Sequence, residues 1–163
     1  MDQSTETPGD VRWLTPAEQD AWRALAGVVI KLPAALEAQL QRDSQLTLFE
    51  YFVLSALSAA DCWALSMGEL AAIVNGSLSR LSNVIKKLEI RGAVRREPSP
   101  DNRRYTHAIL TNAGWDLLVA AAPKHAEAVR RHVFDMLTED QVAQLTTLAR
   151  GILRGTEPDA CWP

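Results

Sequence analysis

Four Ser/Thr-x-x-Glu/Gln signatures, at Thr15/Glu18, Thr47/Glu50, Ser66/Glu69 and Thr138/Gln141, constrain this chain more than any other feature, because an apolar periodic stretch follows each. In such a pair the hydroxyl accepts a hydrogen bond from the backbone N–H three residues on. The Glu or Gln side chain reaches back to the N–H of the capping residue, so two orphaned donors are satisfied at once. Four helix starts are thereby placed. Pro16 strengthens the first, since a proline at the first helical position loses no hydrogen bond there. The chain of 163 residues has room for one compact domain or two small lobes.

The first helix carries Trp22, Leu25, Val29, Leu32, Leu36 and Leu40 on one stripe, with a kink expected at Pro33. The second, from Thr47, is expected to bury Leu48, Tyr51, Phe52 and Leu54 and to fade between Ser58 and Asp61. A short third helix runs from Ser66 to about Val74, where Asn75-Gly76 ends it, the glycine suiting the left-handed cap. The fourth starts near Ser77, buries Leu81, Val84, Ile85 and Leu88, and ends at Gly92 with a basic outer face. Two helices joined by a tight glycine-containing turn, the second polar and basic outside, make a helix-turn-helix. Residues 93–97 and 103–110 then read as two strands around Pro98-Ser99-Pro100-Asp101-Asn102, a hairpin loop. A helix-turn-helix followed by a basic hairpin is a winged helix.

Thr111 caps a fifth helix with the stripe Leu118, Ala121, Ala122, His125, Val129, His132, Val133 and Met136, bent or split at Pro123. The sixth, from Thr138, contributes Val142, Leu145, Leu148, Ile152 and Leu153. Residues 1–10 and 156–163 read as loose ends. The expected fold class is mainly α with a small β-hairpin wing: a winged helix-turn-helix over 47–110, continuous with helical flanks at 1–46 and 111–163.

Charge is segregated. Between Arg80 and Arg104 eight basic residues face three acidic ones, a net +5, while the rest of the chain carries −8. A basic window in an acidic protein suits a polyanion-binding face, and a solvated charged helix and hairpin is the competing reading. No apolar run reaches the roughly 20 residues of a membrane span, and the acidic N-terminus lacks the cationic flank of a secretory signal. A soluble, cytoplasmic protein without membrane association is expected. Cys62 and Cys161 are too far apart in sequence for a metal-ligand spacing and too few for a disulfide framework, which fits a reducing compartment.

With the elements in this order, the chain resembles the MarR family of winged-helix transcriptional regulators over nearly all of its length. The resemblance is carried by Leu65-Ser66-Met67-Gly68-Glu69-Leu70-Ala71 and by Ser77-Leu78-Ser79-Arg80-Leu81-Ser82-Asn83 running into Lys87-Leu88-Glu89-Ile90-Arg91-Gly92-Ala93-Val94. Its specific part is Asp101-Asn102-Arg103 ahead of Leu110-Thr111-Asn112-Ala113-Gly114. The resemblance implies a homodimer joined through its terminal helices, which makes 1–46 and 111–163 the dimerisation region. It also implies a repressor on pseudo-palindromic double-stranded DNA, released by a small ligand or by thiol oxidation. Such proteins often have Arg or Lys where this chain has Asn83, so its base contacts differ; Asn pairs in bidentate fashion with adenine.

On this reading Ser77, which opens the helix, belongs with the DNA-binding residues, and Ser79, Arg80, Ser82 and Asn83 reach base edges and set specificity. Lys86, Lys87, Arg95 and Arg96 are placed for phosphates and set strength, which falls steeply with salt. The resemblance makes Arg103 a minor-groove probe oriented by Asp101, with Arg104 on the backbone; a hairpin clamp without DNA contact is the competing reading of Asp101 and Arg103. Two half-sites about 34 Å apart require a pair of chains. Val11, Trp13, Leu14, Phe134, Met136, Leu137 and the sixth helix offer apolar surface for pairing, part of it spent within one chain.

Trp22, Trp63 and Trp115 are candidates for a pocket taking an aromatic effector, against the ordinary reading of core tryptophans. His125 and His132 are seven apart, which suits core or interface histidines rather than metal ligands, so no metal and no cofactor is expected. Cys62 is either a small buried hydrophobe or a redox-sensing thiol, and Cys161 an exposed bystander. Catalytic motifs such as Gly-x-Ser-x-Gly, His-Glu-x-x-His and a phosphate-binding glycine loop are missing from the sequence, which speaks against an enzyme. A winged helix that binds protein instead of DNA is the remaining alternative, and its mark would be an apolar outer face on the fourth helix.

Overall fold

The computed structural model describes residues 11–98 and 106–156. Among these residues six helices, α1 (Pro16–Ser44), α2 (Leu48–Ala59), α3 (Met67–Ile73), α4 (Leu78–Ile90), α5 (Asn112–His132) and α6 (Glu139–Thr156), are interspersed with strands β1 (Ala64–Ser66), between α2 and α3, and β2 (Val94–Pro98) and β3 (Thr106–Leu110), between α4 and α5. Single 3-10 turns at Asp61–Trp63 and Phe134–Met136 precede β1 and α6.

All four capping boxes form. Thr47 N donates to Glu50 Oε2 at 2.8 Å while Glu50 N donates to Thr47 Oγ1 at 3.0 Å. The same exchange occurs at Ser66/Glu69, Thr15/Glu18 and Thr138/Gln141. It holds the carboxyls of Glu18 and Glu69 below the ordinary carboxylate range. Ser77 and Thr111 cap α4 and α5 in the same way, without the returning acid.

The sheet has three strands in the order β1-β3-β2, where the sequence suggested a two-stranded hairpin. Antiparallel pairing runs from Val94↔Leu110 to Pro98↔Thr106 on one side of β3 and from Ala64↔Ile109 to Ser66↔His107 on the other. Three residues are too few for alternation to show in a sequence, so β1 is defined by its partner rather than by its own pattern.

Contacts divide the chain within α1, after Ala34. In the smaller unit Val11, Trp13, Leu14, Trp22, Val28, Val29 and Ile30 are exposed. The stripe expected along α1 is therefore buried only in its second half, at Leu36 and Leu40. α1 is continuous through Pro33, and α5 is not split at Pro123.

In the larger unit, residues 35–163, the core is built around α2. It gathers Leu40 and Leu46, α2's Phe49, Val53, Leu54 and Leu57, Leu70 from α3, Leu81, Ile85 and Leu88 from α4, Val94, Ala108 and Leu110 from the sheet, and Leu118 and Ala121 from α5. α2 turns a different face inward from the one expected: Phe49, Val53, Ala56 and Leu57 are buried with Leu54, while Leu48, Tyr51 and Phe52 are half-buried. α5 ends at His132, which puts His132 and Met136 in solvent instead of on its stripe. At the α3–α4 turn the left-handed residue is Asn75 (φ +46°), not Gly76. Gly76 is there for space, because a Cβ would lie 2.7 Å from Phe49 Cζ. Gly92, at φ +70°, does take the left-handed position after α4.

Candidate nucleic-acid interface

α4 is fixed on one side and open on the other. Leu81, Ile85 and Leu88 are fully buried. At roughly 1.5–3 kcal/mol for each such side chain, they anchor the helix more strongly than its cap, worth about 1 kcal/mol. Ser77 Oγ accepts from Arg80 N at 3.2 Å and lies 3.1 Å from Ser79 Oγ, so Ser77 serves the helix terminus. The exposed surface carries Ser79, Asn83, Lys86 and Lys87, with Ser82 half-buried beside them. This face is polar and cationic; its apolar members, Leu78 and Ile90, sit at its two ends.

Arg80 leans toward α2, its guanidinium carbon 4.1 Å from the centroid of the Phe49 ring. Arg80, Asn83, Val84 and Lys87 line a cleft of about 400 Å³, walled opposite by Glu37, Thr47, Phe49 and Glu50.

On β2 the two arginines expected at phosphates have partners in their own chain. Arg95 pairs with Glu97, and Arg96 Nη2 lies 2.6 Å from Glu89 Oε2. Glu89 raises the pKa of Arg96 above its already high ordinary value. Both pairs are open to solvent, where such a bridge is worth about 0–1 kcal/mol, so a phosphate can displace the carboxylate at small cost. Arg91 donates to the Gln45 carbonyl at 3.0 Å and ties the end of α4 to the loop before α2. Asp101, Arg103 and Arg104 lie outside the described residues.

Two of the three tryptophans lie in the larger unit and meet there. Trp63 and Trp115 stack, with centroids 5.1 Å apart and planes 16° from parallel, linking the turn before β1 to the first turn of α5. Trp22 is exposed on the first half of α1, in the other unit. Cys62 is exposed at φ +53°, which overturns the reading of it as a small buried hydrophobe. His125 is a core histidine: its Nδ1 is 3.2 Å from Gln39 Oε1, and Gln39 donates in turn to Asp43 at 3.0 Å. Among the described residues no cluster of three His, Cys, Asp or Glu could hold a metal ion, and no helix is long and apolar enough to cross a membrane.

Phe49, Glu89 and Glu97, which hold the arginines of this face, are not among the residues expected from the sequence. For Phe49 a signal was present, since Phe49, Val53, Ala56 and Leu57 repeat at helical spacing. The Arg96–Glu89 pair joins β2 to α4, and nothing local announces it, whereas Arg95 and Glu97 are two apart on β2, the spacing that puts both on one face of a strand.

The family model described as MarR family matches residues 46–106. Sco3205, a MarR family transcriptional regulator from Streptomyces coelicolor solved in complex with DNA, is 38% identical, with 93% of this chain and 94% of that chain covered and a TM-score of 0.87. AbsC, a MarR family transcriptional regulator from the same organism, is 35% identical, with 91% and 100% covered and a TM-score of 0.84. BpsR of Bordetella bronchiseptica, whose DNA binding is regulated by 6-hydroxynicotinic acid, shares the fold at 22% identity, with 82% and 98% covered and a TM-score of 0.70. No curated protein matches the chain.

Proposed function

The chain belongs to the MarR family of transcriptional regulators, and from that premise we propose that it acts as a homodimeric repressor on a pseudo-palindromic DNA site. The observation that carries the reading is the outer face of α4: capped by Ser77, anchored by Leu81, Ile85 and Leu88, and presenting Ser79, Arg80, Ser82, Asn83, Lys86 and Lys87. A protein-binding winged helix would instead need that face to be apolar.

In this reading the N-terminal half of α4 enters the major groove. Ser79, Ser82 and Asn83 meet base edges, with Asn83 suited to adenine, and Lys86 and Lys87 meet phosphates. Arg95 and Arg96 exchange Glu97 and Glu89 for phosphate oxygens, and Arg103, oriented by Asp101, probes the minor groove with Arg104 on the backbone. The regions 1–46 and 111–163 join two chains. Their support is the apolar surface on Val28, Val29 and Ile30, and separately on Leu145, Leu148, Ile152 and Leu153 of α6, a helix with no buried residue. The stacked Trp63–Trp115 pair supports release by a planar aromatic ligand, and a DNA target places the protein in the cytoplasm.

Selection of duplexes from a random-sequence pool, followed by a salt titration of the winner, tests the reading. A two-fold symmetric site with a steep salt slope is expected; no enrichment would overturn it.

A further inference from the structure

Each described arginine of the basic window has a partner in its own chain, and the partners differ in kind. Carboxylates take Arg95 and Arg96, and a backbone carbonyl takes Arg91. Arg80 rests on the face of Phe49. Two carboxylates share that cleft, yet neither is its partner among the described residues. Glu50 Oε2 accepts from Thr47 N at 2.8 Å, and Glu37 Oε2 accepts from Leu48 N at 2.5 Å, both closing the start of α2.

The choice of partner has a chemical consequence. A carboxylate would cancel the charge of Arg80 and occupy its donors. An aromatic face holds the guanidinium by its π surface, keeps the positive charge, and leaves the N–H donors in the guanidinium plane directed outward. The ring itself cannot yield: Phe49 is buried in the core, and Gly76 packs so closely beneath its edge that any side chain there would strike it. The α3–α4 turn, the start of α2 and the third residue of α4 are thereby linked through one ring.

We propose that Phe49 is a positioning residue for DNA reading, holding Arg80 in the geometry that a bidentate contact with a guanine edge requires; this rests on the DNA-binding reading above. A preformed rotamer loses less freedom on binding. At an exposed site such a contact biases the guanidinium toward the ring by about two- to fivefold.

The test uses the full chain as wild type, F49L, R80A and F49L/R80A, since leucine refills the core position without a π face. Each protein selects from a random-sequence duplex pool, and each is titrated against the wild-type winner at one salt concentration. R80A is expected to weaken binding about tenfold and to flatten the preference for one guanine in each half-site. F49L is expected to flatten the same position, weaken binding by up to about two- to fivefold, and cost nothing further when Arg80 is already absent. Equal losses from F49L in both backgrounds, a blunting of all base positions, or tighter binding by F49L would overturn the proposal while leaving DNA binding intact. Failure of the wild type to enrich any duplex would instead overturn the reading on which it rests. A measurement without DNA checks the docking directly. The Arg80 Nε–Hε resonance of the wild type should be shifted upfield by the ring current and should return to the ordinary arginine range in F49L; an unshifted wild-type resonance would also overturn the proposal.

Discussion

At Gly114 a single hydrogen atom in place of a side chain decides how α5 meets the reading head. Thr111 Oγ1 donates to the Gly92 carbonyl at 2.6 Å and accepts from Gly114 N at 3.0 Å, while Thr111 N donates to the Ala93 carbonyl at 3.1 Å. A Cβ on Gly114 would run into that Ala93 oxygen and lie 2.7 Å from Leu110 Cδ1. The Leu-Thr-x-x-Gly pattern thus has a local cause: threonine caps the helix, and glycine lets it approach the backbone after α4. G114A is expected to destabilise the protein by about 2–3 kcal/mol in denaturant unfolding; a change below half of that would refute the account. His125 makes a second prediction at this scale. Burial pushes its imidazole below the ordinary value, between Gln39, whose amide also holds Asp43, and Tyr51, whose ring centroid is 4.3 Å away. Asp43, held by the same Gln39, is itself lowered by that hydrogen bond and by the charge of Lys124. The folded chain therefore keeps His125 neutral at a pH where the unfolded chain takes up a proton. Its contribution is complete above about pH 6.5 and is lost as the pH falls through that value toward the lower folded pKa. The melting temperature of the wild type should drop more steeply than that of H125Q between about pH 7.5 and 5.5, and parallel curves would contradict this.

Whole elements obey the same local rules where their determinants are adjacent in sequence. Ser77 begins α4 with one hydroxyl, and S77A should cost about 1 kcal/mol in a thermal melt. S79A, two positions on, should leave stability within about 0.5 kcal/mol while weakening duplex binding. A matching loss of stability in both variants would erase the distinction between cap and contact. This locality explains why the helix starts were legible from the sequence: each box involves residues three apart, and all four formed. Helix-turn-helix and wing followed from the order of those starts. What was not legible depends on partners distant in the chain. β1 exists because β3 has a second edge, and the inward face of α2 follows what packs around Phe49 and Val53. Arg96 finds Glu89 only once β2 folds back beside α4. The boundary at Asn75-Gly76 was correct in place but not in cause, since sequence shows that a glycine is present and not which ring lies against it.

For the molecule as a whole, a reading head with a net positive window must bind strongly enough while the rest of the chain, at −8, is repelled by the same polyanion. One head offers a single short helix and few cations, and its affinity would be modest at physiological salt. Pairing two heads changes the arithmetic, because the second half-site is then met at an effective concentration set by the linkage, worth about 10²–10⁴ in affinity. α6 has the surface for this. Leu148, Ile152 and Leu153 are each at least half exposed, on a helix with no fully buried residue, only Val142 and Ala149 being half-buried. A carboxylate placed there cannot be buried against a second apolar face without a large desolvation cost. On the dimer proposed above, the wild type should sediment at about twice 17.9 kDa and L148E at the mass of one chain. Its affinity for a duplex with two half-sites should fall by roughly 100-fold or more, and its affinity for one half-site should hold. The two duplexes must be titrated together, since loss on both would trace to a damaged reading head, and a variant that stays dimeric and binds normally would remove α6 from the interface.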